Sequence, residues 1–168
     1  MTEFNVLYER YAPIVHRYAL YLCGDRALAQ DITSETFVRA FTAASAIRQD
    51  TVKAFLFTIA RNLYRDSLRR SRRLEGLEGS QLDPQASADK PVEDRSELGF
   101  VLSAMQELSE SDRAVLVMRG VEEMPYQDIA RALGVSVVAA KVRVHRARLK
   151  LLDVTRARKR DREGRGES

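Results

Sequence analysis

Apolar side chains recur at steps of three and four along most of this sequence, the spacing that gathers one stripe on a helix. Leu7, Tyr11, Ile14, Tyr18 and Leu22 form the first stripe. Gly24 offers a left-handed stop, and Asp25 caps a second helix that carries Leu28, Ile32, Phe37, Ala40 and Phe41. A third segment places Phe55, Leu56, Ile59, Ala60 and Leu63 on one face. Neither glycine nor proline occurs between Asp25 and Glu75, so nothing in the backbone chemistry interrupts helix there. Strand-like alternation is absent.

A second helical block opens on the stripe Leu98, Val101, Leu102, Met105 and Leu108. Ser109-Glu110-Ser111-Asp112 has the spacing of a capping box ahead of the apolar run Ala114–Met118. Helical segments over 126–133 and 137–152 follow, the latter trailing into DVTRARKRDREGRGES. Between the blocks lies LEGLEGSQLDPQASADKPVEDR, with two glycines and two prolines, which reads as a flexible linker. The predicted fold is all-α: two small helical domains, 1–73 and 96–152, a linker over 74–95, and a basic tail over 153–168 expected to lack structure.

The best-defined motif is PYQDIARALGVSVVAAKVRVHRARLKL. Ile129, Ala130 and Leu133 supply the inner face of a short helix, and Gly134 suits a tight turn. Val135 plugs the core, and Ser136 caps a second helix whose inner row is Ala140, Val144 and Ala147. This is a helix-turn-helix, whose second helix enters the major groove of DNA. Lys141, Arg143, His145, Arg146 and Arg148 are left for solvent or DNA, with no acid between Val137 and Leu152. An ordinary helical hairpin would rarely be so one-sided.

Charge sharpens this reading. The 168 residues hold 28 Lys+Arg against 24 Asp+Glu, yet the balance is uneven along the chain. Residues 1–73 carry 12 basic and 7 acidic groups; the linker carries 2 and 6. Arginines number 23 and lysines 5, and the arginine fork suits phosphates and guanine edges. In VKAFLFTIARNLYRDSLRRSRR, Arg61, Arg65 and Arg69 fall at i, i+4 and i+8. Like charges so spaced repel by a few tenths of a kcal/mol per pair, so this helix is expected to meet a polyanion. A third segment, ALAQDITSETFVRAF, sets Asp31 and Glu35 at i, i+4 on a polar face.

Other classes fit less well. One cysteine, Cys23, excludes an internal disulfide, and no Cys/His cluster suggests a metal. His16 and His145 lie in no catalytic pattern, so neither an enzyme nor a cofactor is expected. The first residues lack the basic start and apolar run of a signal peptide, and no stretch approaches the roughly 20 apolar residues of a membrane span. A cytoplasmic protein without membrane insertion is the expectation. A one-component transcription regulator, its first block sensing a ligand, is the alternative from another class.

In order and spacing the three segments resemble the small two-domain sigma factors of bacterial RNA polymerase, the extracytoplasmic-function (ECF) group. The resemblance covers the chain to about Leu152 and implies a transcription initiation factor whose partners are core RNA polymerase, promoter DNA and an anti-sigma factor. It implies polymerase binding by Asp31, Ser34, Glu35 and Arg39. It places a base-capturing loop over Ala43–Asp50 and assigns Arg61, Asn62, Arg65, Asp66, Arg69 and Arg70 to the minus-ten element. Arg119, Ser136, Lys141, Arg143, His145 and Arg146 would meet the minus-thirty-five element. The chain departs from the family pattern at Phe55 for the usual Trp and at Ser34 for a common Gln. It departs again at Val138-Ala139-Ala140 for Gly-Thr-Val.

Overall fold

The structure, a computed structural model, describes residues 2–43, 52–76 and 96–166. Helix α1 (Glu3–Cys23) starts where the Thr2 hydroxyl accepts from the Asn5 N–H and runs through Pro13. It stops at Gly24, whose φ of 67° lets its N–H donate to the Leu20 carbonyl. Asp25 then caps α2 (Arg26–Thr42) by accepting from the Leu28 N–H at 3.2 Å. Ala43 is the C-cap of α2, and residues 44–50 of the expected base-capturing loop lie outside the described residues. Helix α3 spans Val52–Leu74.

These three helices close around Tyr18, Leu22, Ile32, Phe37, Leu56 and Phe57, with Tyr18 and Phe57 stacked at 4.1 Å. Two expectations shift. Phe41 stands 60% exposed, its ring meeting Phe4 edge-on, because α2 turns Ala29, Thr33 and Thr36 inward instead. On α3 the buried row includes Phe57 and Tyr64, which the stripe had omitted, and leaves Phe55 and Ile59 half-buried.

The second block comprises α4 (Glu97–Met105), α5 (Glu110–Leu116), a π-helical turn (Val117–Val121), α6 (Tyr126–Leu133) and α7 (Val137–Gly166). Ser96 caps α4, and Ser109 caps α5 by accepting from the Asp112 N–H. The Asp112 carboxylate, predicted to complete a capping box, pairs with Lys150 at 3.0 Å. Gly134 takes φ 67° between α6 and α7, and the Ser136 hydroxyl accepts from the Ala139 N–H at 3.1 Å. The expected helix-turn-helix is therefore present, packed through Ile129, Ala130, Ala140, Val144 and Ala147.

The tail is a correction. Helix α7 continues to Gly166 rather than ending near Leu152. The reason is a partner surface on α4 and the turn after it: Arg158 donates to Glu107 at 2.6 Å and to the Ser103 hydroxyl and carbonyl at 2.8 and 3.1 Å. Arg162 lies over the Phe100 ring, and Leu151 and Val154 extend the core beneath. Residues 77–95, most of the expected linker, lie outside the described residues. The two blocks nevertheless dock directly, α1 and α3 against α4, α5 and α6, and share one buried apolar cluster.

Candidate nucleic-acid interface

Three surfaces carry the sequence-predicted residues. On α2, Asp31, Ser34, Glu35 and Arg39 are all exposed, with Arg39 and Glu35 in a loose i, i+4 pair at 3.5 Å. Val38 and Phe41 beside them are 57% and 60% exposed, so this face mixes acid with uncovered apolar area. Such a mixture marks a protein contact more than a solvated helix face.

On α3 the arginines divide. Asn62, Arg69 and Arg70 are exposed and Arg65 half-buried, and Arg69 lies 3.3 Å from Asp66. Arg61 is different: it is buried between the two blocks. Its Nε donates to Glu110 Oε1, and Nη2 donates to Glu110 Oε2 at 3.1 Å and to the Ser111 hydroxyl at 3.2 Å. Burial opposes the Arg61 charge most strongly, but the Glu110 hydrogen bond and charge outweigh it and raise its pKa. In this arrangement Arg61 faces α5, and no strand reaches it.

On the second block, Ser136, Lys141, Arg143, His145 and Arg146 are exposed along the start of α7. Arg119 is half-buried instead. It donates to the Met124 carbonyl at 3.1 Å and lies over the Tyr126 ring, with Lys141 above the same ring at 5.6 Å. Arg119 thus braces the entry to α6 as well as bordering the basic face.

Sequence reasoning missed the residues that join the blocks. The π-helical turn adds one residue, with the Glu122 N–H donating to the Val117 carbonyl. The turn ends with the Glu122 carboxylate buried, accepting from Arg17 Nε at 2.6 Å and lying 3.6 Å from Lys53 Nζ. Arg113, fully buried, donates to the Leu108 carbonyl at 2.6 Å and the Tyr64 hydroxyl at 2.9 Å. Gln106 reaches the Leu22 carbonyl at 3.4 Å. Two atoms at this seam, Tyr18 Oη and Arg113 Nε, have no hydrogen-bond partner among the described residues. Burial drives the Tyr18 phenol well above its ordinary pKa, with Arg61 opposing. The desolvated ions and the two orphaned polar atoms add little net free energy to a seam whose remaining contacts are the shared apolar cluster.

No cluster of metal-binding side chains occurs among the described residues, and none of their helices is long and apolar enough to cross a membrane.

Comparison with known proteins gives the chain a family. The Sigma-70 region 2 family model matches residues 7–74, and the Sigma-70 region 4 model matches residues 101–151. The ECF RNA polymerase sigma factor SigE of Mycolicibacterium smegmatis is 31% identical over 91% of this chain and 62% of its own length. SigL of Mycobacterium tuberculosis is 34% identical over 85% of this chain and 83% of its own. The match spans only about three fifths of SigE and of the relative BldN of Streptomyces coelicolor. Among solved structures, CnrH in complex with the cytosolic domain of CnrY superposes with a TM-score of 0.68, is 28% identical and covers 92% of this chain and 88% of its own. The sigma factor RpoE in complex with the anti-sigma factor NepR from Bartonella quintana shares the fold, with a TM-score of 0.75, 24% identity, and coverage of 93% of this chain and 98% of its own. Region 2 lies on α1–α3 and region 4 on α4–α7, in that order, and the chain belongs to the ECF RNA polymerase sigma factor family.

Proposed function

We propose that this chain is a transcription initiation factor that binds bacterial core RNA polymerase, directs it to specific promoters and assists their opening, with no catalytic role of its own. The observation that carries the reading is the pairing, in one chain, of the mixed acidic-apolar face of α2 with two separate basic readers, α3 and the helix-turn-helix. Asp31, Ser34, Glu35 and Arg39 dock the polymerase. Asn62, Arg65, Asp66, Arg69 and Arg70 hold the minus-ten strand. Ser136, Lys141, Arg143, His145 and Arg146, flanked by Arg119, meet the minus-thirty-five duplex.

Neutralising phosphates supplies affinity, and base edges supply choice. Taking a base out of the stack costs on the order of a few kcal/mol, which a pocket and backbone contacts offset. Two weak readers act as one strong reader when a third body fixes their spacing, and the polymerase is that body. The docked arrangement holds Arg61 away from DNA, so polymerase binding and the separation of α3 from α5 belong to one step. Residues 1–73 and 96–152 are the working units, joined by 74–95. The protein works in the cytoplasm, and the complex recorded for RpoE favours an anti-sigma partner here too. A one-component regulator is less favoured, because it gives the exposed acids of α2 no task.

Run-off transcription with purified core polymerase on genomic fragments tests this. Discrete start sites that require the chain, and that Asp31→Lys with Glu35→Lys abolishes without unfolding, are expected. Tight promoter binding by the isolated chain, indifferent to core polymerase, would overturn it.

A further inference from the structure

Glu122, which follows the π-helical turn, keeps 2% of its side-chain surface, while the cations that face it keep 46% for Arg17 and 37% for Lys53. The two divide its carboxylate. Arg17 Nε donates to Oε1 at 2.6 Å, and Lys53 Nζ stands 3.6 Å from Oε2. A pair built only to hold the blocks together needs one cation, because a second adds desolvation and repulsion from the first. Lys53 is also the second residue of α3, where the start of a helix carries partial positive charge of its own. Two side-chain cations and a helix start on the first block therefore converge on one anion from the second.

The same exchange occurs elsewhere at the seam, where Glu110 of the second block takes Arg61 of α3. Lys53, Arg61, Arg65, Arg69 and Arg70 run along about 26 Å of that helix at 1.5 Å per residue, and Asp66 is the one acid from Lys53 to Arg70. A carboxylate partner uses one point of such a row. A nucleic-acid strand, with a phosphate at every nucleotide, uses its length.

We infer that Arg17 and Lys53 form a phosphate site for a nucleic-acid strand, and that the Glu122 carboxylate occupies this site in the docked arrangement in place of a phosphate. Both cations lie outside the minus-ten residues named above. That the strand is promoter DNA rests on the function proposed above; the phosphate site does not.

The probe is a fluorescent 20-nucleotide oligo(dT), with anisotropy read on the full chain across a salt series. Glu122→Gln keeps the shape of the side chain and removes its charge. It should bind the strand at least about threefold tighter than the parent and steepen the log–log salt slope by about 1.4, two phosphates at about 0.7 each. Adding Arg17→Ala and Lys53→Ala to Glu122→Gln should cost at least about threefold in affinity and return the slope by the same amount. Adding Arg17→Lys and Lys53→Arg instead should preserve both. A contact that only latches the blocks predicts the opposite sign, since the two alanines loosen the seam further and bare Arg61. Equal or tighter binding after the alanine changes would therefore overturn the site, as would a Glu122→Gln protein with the parent's affinity and slope. Arg10→Ala with Lys159→Ala removes the same charge from exposed positions elsewhere and should change binding little; an equal loss there would assign the effect to net charge and also overturn the site. Run-off transcription separates the two readings. The expected binding pattern in a chain that directs no transcription would keep the site and remove the promoter, whereas transcription without the pattern would remove the site alone.

Discussion

Replacing Glu110 by alanine strips the buried Arg61 guanidinium of its bidentate partner. The two side chains keep only 10% and 5% of their surface in the docked arrangement, and Arg61 would retain one neutral contact, the Ser111 hydroxyl. Removing one member of a buried pair costs about 3–5 kcal/mol, because the other charge stays desolvated. Here the protein has an escape that a single core lacks: separating the blocks returns Arg61 to water. The cost therefore falls on docking, and the equilibrium between docked and separated blocks shifts by roughly two to four powers of ten. Small-angle scattering should show Glu110→Ala with a larger radius of gyration at unchanged helix content by circular dichroism. The double variant Arg61→Met, Glu110→Leu removes both charges, and such swaps are often neutral or stabilising. It should stay docked. A Glu110→Ala protein with the parent's scattering profile would refute the reasoning, as would a double variant as open as the single one.

Three further outcomes follow from the same contacts. Gly134→Val puts a β-branched residue at φ 67°, where open space around the Cβ leaves only backbone strain; urea unfolding should show a loss of about 1–3 kcal/mol, with DNA affinity of α7 reduced in parallel. Burial pushes the Cys23 thiol up to about 11 from 9.0. It therefore contributes stability below pH 9 that is lost as pH rises towards 11, and alkylation at pH 8 should be slower than for free cysteine and speed up in Glu110→Ala. Unchanged pH dependence in Cys23→Ala would contradict this. Arg158→Ala removes three hydrogen bonds that tie α7 to α4 and the turn after it; amide exchange should rise over 97–105 and 153–166 by a factor matching about 1–3 kcal/mol, and equal protection would show the tail contributes nothing.

Much of the local structure lies within a few residues of its cause. Gly24 and Gly134 take the left-handed conformation, and Asp25, Ser109 and Ser136 cap as their positions predict, since each cap is a contact three residues long. The acidic face of α2 and the basic start of α7 are exposed as the helical period implies. Period also gave Arg61, Arg65 and Arg69 one shared face, and there it misled. The three do lie along α3, but a docked neighbour covers the first, while Arg65 is half-buried and Arg69 exposed. The tail misled for the same reason: its composition suits solvent, while Phe100 and Ser103 on α4 and Glu107 just beyond it supply the ring and the acceptors that hold it helical.

The sequence by itself determined the helices up to about Leu152, the caps at Asp25, Ser109 and Ser136, the turn of the helix-turn-helix and the signs of the exposed faces, because period, capping and backbone freedom act over four residues or fewer. Only the tertiary structure decided which charges are buried. Arg61 finds Glu110 across 49 positions and Arg17 finds Glu122 across 105, and whether burying a charge is tolerable depends wholly on such a partner.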